Sequence, residues 1–166
     1  MLQKEISSIP EKYKNKWLLE FSKKIGLKKI YPENEVLINR FLEILESENL
    51  DFTNSFRGLI KEVENSNELV SKTDTFKSWK NDWKKLLKNK SSKEEVCKTI
   101  SSNNPAFIMR NHLVEKIIQE LLIDKKDTLN KALVCIEKSF EKIKHYENMY
   151  VGPTKEQEVL KTFCGT

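Results

Sequence analysis

The sequence predicts an all-α protein, an irregular bundle of about six or seven helices in one domain, residues 1–148, with an extended tail at 149–166. Three observations lead there. Apolar residues recur at steps of three and four along most of the chain, as in Phe76, Trp79, Trp83 and Leu87. Helix-start and helix-stop residues bracket these runs, for example Ser92-Lys93-Glu94-Glu95 before Val96 and Gly26 after Ile25. No stretch of useful length alternates apolar and polar residues at the strand period, and no heptad run or repeat suggests a coiled coil or solenoid.

Taken in order, Ser7-Ser8-Ile9-Pro10 starts the first helix, whose stripe Tyr13, Trp17, Phe21 and Ile25 stops at Gly26. Pro32-Glu33-Asn34-Glu35 opens the second, with proline and acids in its first turn, and Leu37, Phe41, Leu42, Ile44 and Leu45 give it a buried face. Asp51 or Thr53 caps a short third segment carrying Phe52, Phe56, Leu59 and Ile60. Lys61 to Thr73 is polar and poorly periodic beyond Val63, so it reads as a mobile connection with at most one extra turn near Leu69 and Val70. Asp74 to Leu87 puts Phe76, Trp79, Trp83, Leu86 and Leu87 on one face and lysines on the other. A capping box at Ser92 then starts a helix through Ile100. Asn104 caps and Pro105 begins the next helix, which runs to about Ile123 with a broad buried face of Leu113, Val114, Ile117, Ile118, Leu121 and Leu122. Asp127 caps a last helix with Leu129, Leu133, Ile136 and Phe140 on one face.

Composition narrows the function. At 166 residues, 38% hydrophobic and 33% charged, the chain holds a folded domain with a real core. The net charge of +5 is spread over interspersed Lys and Glu, the pattern of solvated helix faces, so nucleic acid is not an expected partner. The aromatic residues of the Asp74 helix have core spacing, and a ring packed inward cannot also stack on a base. No apolar run reaches the length of a membrane span and no signal-peptide core precedes Lys16, so a cytoplasmic protein without membrane contact is expected. The four glycines stand isolated, which gives no phosphate-cradling loop. Cys97, Cys135 and Cys164 are too scattered for a disulfide scaffold or a zinc site; the first two read as buried thiols and the third sits two residues from the end. His112 has no nucleophile or acid at a spacing that would make a relay.

Three stretches carry a resemblance. Asn104-Pro105, four residues of apolar character, then Arg110-Asn111-His112-Leu113-Val114-Glu115 resembles the C-terminal region of the selenoprotein O family of pseudokinase-like protein adenylyltransferases. Asp51-Phe52-Thr53-Asn54-Ser55-Phe56-Arg57 is similar to that family's Asp-aromatic-Thr-x-x-Phe-Arg segment. The ending Thr162-Phe163-Cys164-Gly165-Thr166 is similar to its terminal tail, which carries cysteine or selenocysteine. The stretches occur in the family's order and cover the chain from about Trp17 onward.

The resemblance implies a C-terminal helical region with a scaffolding and redox-regulatory role, belonging to enzymes that transfer AMP from ATP to protein Ser, Thr and Tyr hydroxyls. It implies that ATP and a divalent metal, Mg or Mn, are bound upstream by a kinase-like core that this chain lacks. No catalytic, cofactor-binding or metal-binding residue therefore carries over, and the chain alone is expected to be inactive. Asp51, Phe56, Arg57, Asn104, Pro105, Arg110 and Asn111 are the motif residues, and their residue types suit packing and hydrogen-bonded ties between loops. Cys164 is the redox candidate, and the resemblance implies pairing with a cysteine of the core. The partner expected is that catalytic core, if it is encoded separately. A free-standing helical module that binds another protein is the alternative.

Overall fold

A computed structural model describes residues 2–66, 70–88 and 90–157, and among them it contains seven α-helices, two short 3-10 turns and no strand. The chain divides into two compact units, Met1–Asn104 and Pro105–Thr166, each with its own apolar core. No helix among the described residues is long and apolar enough to cross a membrane.

The first unit holds α1 (Leu2–Lys24), α2 (Asn34–Ser47), α3 (Phe52–Val63), α4 (Asp74–Lys88) and α5 (Lys93–Asn103). Helix α1 starts earlier than Ser7, and Pro10 lies inside it. A proline in a helix forfeits one backbone bond, so the turns on either side can persist, and its local signature does not separate a first turn from an interior one. Tyr13 is exposed, and the working stripe is Trp17, Leu18, Phe21 and Ile25. The helix stops at Gly26, whose φ of +88° lets the Leu27 N–H reach back to the Ser22 carbonyl and its own N–H to that of Lys23.

Helix α4 supplies the centre of this core. Phe76, Trp79 and Trp83 are fully buried, with Trp79 stacked on Trp83 at 5.3 Å and on Phe41 of α2 at 4.4 Å. Each indole N–H is matched by a carbonyl from another segment: Trp79 donates to Leu37 and Trp83 to Ile25, both at 2.8 Å. Helix α3 packs along α5, α2 along α4, and α1 touches both α2 and α5. The polar stretch after Val63 carries more structure than its composition suggests. Glu62, 1% exposed, accepts the Val70 N–H at 2.8 Å and the Lys80 ammonium at 3.0 Å, while Thr73 donates to Glu48 and caps the Phe76 N–H. Leu69 lies outside the described residues.

The second unit holds α6 (Asn111–Leu121) and α7 (Asp127–Glu137), followed by 3-10 turns at Glu147–Met149 and Lys155–Gln157. Its core is Ala106, Phe107, Leu113, Ile117, Ala132, Cys135, Met149 and Tyr150, so Met149 and Tyr150, at the start of the segment read as a tail, pack inward. Phe107 meets Tyr150 edge-on at 6.2 Å, and the Tyr150 hydroxyl accepts the Ile143 N–H at 2.8 Å.

Three sequence expectations are corrected here. The helix expected from Pro105 begins at Asn111 instead, because the Ala106 and Phe107 N–H groups donate to the Ser139 carbonyl, 2.7 and 3.0 Å away, which holds residues 105–110 as a loop. Asp127 is the first residue of α7 rather than its cap; the Glu120 carboxylate of α6 takes the Thr128 N–H at 3.0 Å and its hydroxyl at 2.7 Å. The apolar faces of both helices are only half used. Leu113, Ile117, Ala132 and Cys135 are buried, whereas Val114, Ile118, Leu121, Leu122, Leu133, Ile136 and Phe140 are exposed.

Candidate functional site

The end of helix α5 gathers the motif residues of the first unit. Asp51 caps α3 by accepting the Asn54 N–H at 2.7 Å, which fixes where α3 begins and therefore which way residues one and two turns later face. Phe56 then points inward, fully buried, with its ring edge-on to Phe41 at 4.9 Å. Arg57, next along α3, turns to α5.

The Arg57 Nη1 donates to the carbonyls of Ser101 at 2.7 Å and Asn104 at 2.8 Å. A helix end leaves its last carbonyls without partners and carries partial negative charge. Helix α5 has no basic residue of its own in its last turn, so a cation from α3 fills that place. Burial pulls the Arg57 guanidinium below its usual pKa, yet a guanidinium starts so high that it stays charged.

Asn104 completes the junction from the other side. Pro105 disfavours helical backbone at the residue before it, and Asn104 has φ −131° and ψ 112°. Its amide is 1% exposed and faces back into the unit, donating to the carbonyls of Lys24 at 2.8 Å and Ile100 at 2.9 Å. The expected N-cap is thus a C-cap residue of the preceding helix, and its side chain ties α5 to the end of α1. Lys24 reciprocates: its ammonium donates to the Asn103 carbonyl at 3.2 Å and the Asn104 Oδ1 at 3.4 Å, and lies 5.7 Å from the centre of the Phe56 ring. Burial lowers the pKa of this amine, and Glu20 partly offsets the shift.

Lys24 and Ser101 are members of the junction that sequence reasoning missed. A basic last turn in α1 was visible, but nothing in local spacing tells that it reaches a carbonyl about eighty positions away. Of the remaining motif residues, Arg110 and Asn111 belong to the second unit, at the N-cap position and first position of α6. The backbone of Arg110 is extended, and its carbonyl accepts the Leu113 and Val114 N–H groups.

The junction has hydrogen-bond donors and carbonyl acceptors but no nucleophile with a base. Its chemistry is that of a clamp holding α1, α3 and α5. His112 belongs to the second unit: its Nδ1 is buried with no hydrogen-bond partner, and burial, then the Arg110 charge, lowers its pKa. Among the described residues no group of three or more His, Cys, Asp or Glu side chains converges as a metal site would require. Surface carboxylates pair instead with neighbouring lysines and arginine, as in Glu20 with Lys16 and Lys23 or Asp82 with Arg40. Cys135 is buried and Cys97 half-buried, while Cys164 lies outside the described residues.

The chain matches a family model described as Protein adenylyltransferase SelO over residues 1–143. Among curated proteins, Protein nucleotidyltransferase YdiU of Bacillus mycoides (strain KBAB4) is 31% identical over 166 residues, covering 99% of this chain and 34% of that protein. The proteins of the same name from Bacillus cereus (strain G9842) and Bacillus thuringiensis subsp. konkukian (strain 97-27) are 30% and 32% identical over 167 residues, with the same coverage. The chain therefore spans about a third of the length of the curated relatives it matches.

Proposed function

Because this chain belongs to the protein adenylyltransferase SelO family, we propose that it is the C-terminal helical part of such an enzyme. In this reading it works in the cytoplasm beside a pseudokinase-like core that transfers AMP from ATP to protein hydroxyls, and it contributes scaffolding rather than chemistry. The observation that carries the reading is the half-used apolar surface of α6 and α7, where Leu122 is 74% exposed and Val114 and Ile118 of α6 and Leu133 and Ile136 of α7 are exposed as well. Exposed apolar positions that share a helix suit a surface on which another body fits. The coverage of a third of each relative supplies a candidate body, the other two thirds.

In this reading ATP and its divalent metal, Mg or Mn, are held by the core, which is supported by the lack, among the described residues, of three or more converging His, Cys, Asp or Glu side chains. Phosphoryl-type transfer needs converging metal ligands and donors around phosphate oxygens, whereas carboxylates such as Glu20 and Asp82 are engaged in separate ion pairs. Cys164 has a separate role in the proposal, as a regulatory thiol near the end of the chain. Oxidation of its thiol together with a core thiol, by a disulfide reagent that takes up the two electrons and two protons, would join the two parts covalently.

The test is to supply labelled ATP and Mg or Mn to this chain, to the remaining two thirds of a YdiU relative, and to both together. Labelled protein is expected only when the core is present, with more label when both are. Metal-dependent labelling by this chain alone would overturn the division of labour. No association between the parts would favour a free-standing interaction module. Under oxidising conditions the mixture should yield a disulfide that Cys164→Ser abolishes, and an unchanged yield in that variant would remove the redox role.

A further inference from the structure

We propose that a cavity in the first unit binds a small phosphomonoester whose organic part is apolar or aromatic. The cavity, about 360 Å³, opens between the end of α3, the last turns of α4 and the start of α5. That volume is at the lower end of small-molecule sites. Its floor is carbon: Val63, Leu87 and Val96, all buried side chains of the unit's core. Its rim is cationic, with Lys84, Lys88 and Lys93 among the lining residues and no acid.

Charge separates this cavity from two others in the same unit. One, beside α2 and α4, is lined by Glu33, Arg40, Asp82 and Lys85, and Arg40 already pairs with Asp82 at 2.9 Å. Another is lined by Lys23, Lys28 and Lys98, of which Lys23 pairs with Glu20 and Lys28 with Glu95. Around the proposed site the Lys84 ammonium donates to the neutral Asn65 Oδ1 at 2.8 Å, and Lys88 and Lys93 make no ion pair among the described residues. The nearby Glu62 carboxylate is committed to Lys80 and the Val70 N–H. Burial, then repulsion from Lys80, holds the Lys84 amine below its usual pKa, with Lys93 adding to the repulsion and Glu62 opposing it.

Lysines on a helix face are ordinarily solvated and diverge. Three that line one concavity with no acid among the lining residues leave a net positive field there, and ammonium groups are compact charges well suited to phosphate. A dianionic phosphomonoester matches three cations better than a carboxylate does. The organic part follows from the floor: what Val63, Leu87 and Val96 still show to water is carbon, which a ring or short alkyl group covers and inorganic phosphate does not.

The experiment titrates the full chain with phenyl phosphate, inorganic phosphate and phenol, following backbone amide shifts. Phenyl phosphate is expected to bind saturably, with the largest shifts at Leu87, Ser91 and Val96, and about tenfold more tightly than either phosphate or phenol. The double variant Lys84→Gln with Lys93→Gln should weaken it about tenfold while phenol is unaffected. If that variant does not fold, added salt on the unaltered chain makes the same discrimination, weakening phenyl phosphate and sparing phenol. Equal affinities for the three probes, shifts centred elsewhere, or salt-insensitive binding of phenyl phosphate would each overturn the proposal.

Discussion

Arg57 and Asn104 come from motifs 47 positions apart and meet at the end of α5, the guanidinium Nη1 lying 2.8 Å from the Asn104 carbonyl. One cation thereby serves a helix that has none in its own last turn. Replacing it removes a charge-assisted donor and leaves the Ser101 and Asn104 carbonyls short of a partner. Arg57→Ala should cost about 1.5–3 kcal/mol in urea unfolding, and Arg57→Lys less, since one ammonium can still reach one carbonyl. An Ala variant as stable as the parent would show that water takes over the junction.

Gly26 combines a φ of +88° with a tight approach, since an added Cβ would stand 2.7 Å from the Val96 Cγ1. Gly26→Ala is expected to destabilise the first unit by about 1–3 kcal/mol. Combining it with Val96→Ala should return only the part due to the contact, because the backbone strain remains. Complete recovery in the double variant would place the whole effect in the contact.

The indoles of α4 make two separable contributions. Trp83→Phe keeps most of the ring volume but strands the Ile25 carbonyl, at a cost of about 1–2 kcal/mol, whereas Trp83→Ala also opens a cavity and should cost about 3–5 kcal/mol. Thermal or urea melts followed by circular dichroism read both. Equal losses would mean that packing contributes nothing beyond the hydrogen bond.

His112 gives a pH dependence with a definite sign. Burial and Arg110 lower its native pKa below the ordinary 6.5, so the unfolded chain takes up the proton first. The stability tied to the neutral ring is complete above the unfolded value and lost as pH falls toward the native one. His112→Phe should flatten the stability curve below about pH 7. Imidazole resonances titrating at or above 6.5 in the native protein would contradict this.

Acid should weaken the surface next. Lys16 and Lys23 hold Glu20 below its usual pKa, Lys77 does so for Asp74, Arg40 for Asp82 and Thr128 for Glu120. Their contribution exists above the ordinary carboxylate range and fades as pH drops through the depressed native values, below about 4. For the ion pairs, added salt should reduce that loss, since these groups are exposed and screened. A salt-independent acid transition would point to buried groups instead.

Much of the fold was legible because its signals are local. Asp51 and Ser92 cap from three residues away, Gly26 ends α1 through bonds within one turn, and the α4 aromatics share a face by helical spacing alone. Such interactions span a few residues, so residue order determines them. The partners of Arg57, Glu62 and Asn104 were decided by tertiary structure: each side chain has several feasible hydrogen bonds, and only packing chooses among them. The loop at 105–110 has the same origin. Asn104-Pro105 fits either a helix start or a helix stop, and the Ser139 carbonyl, more than thirty positions away, takes the N–H groups that would have begun a helix. Periodicity likewise made α6 and α7 amphipathic in the sequence, but which half of each apolar face is covered depends on what packs there, a property of assembled surfaces that no run of residues contains.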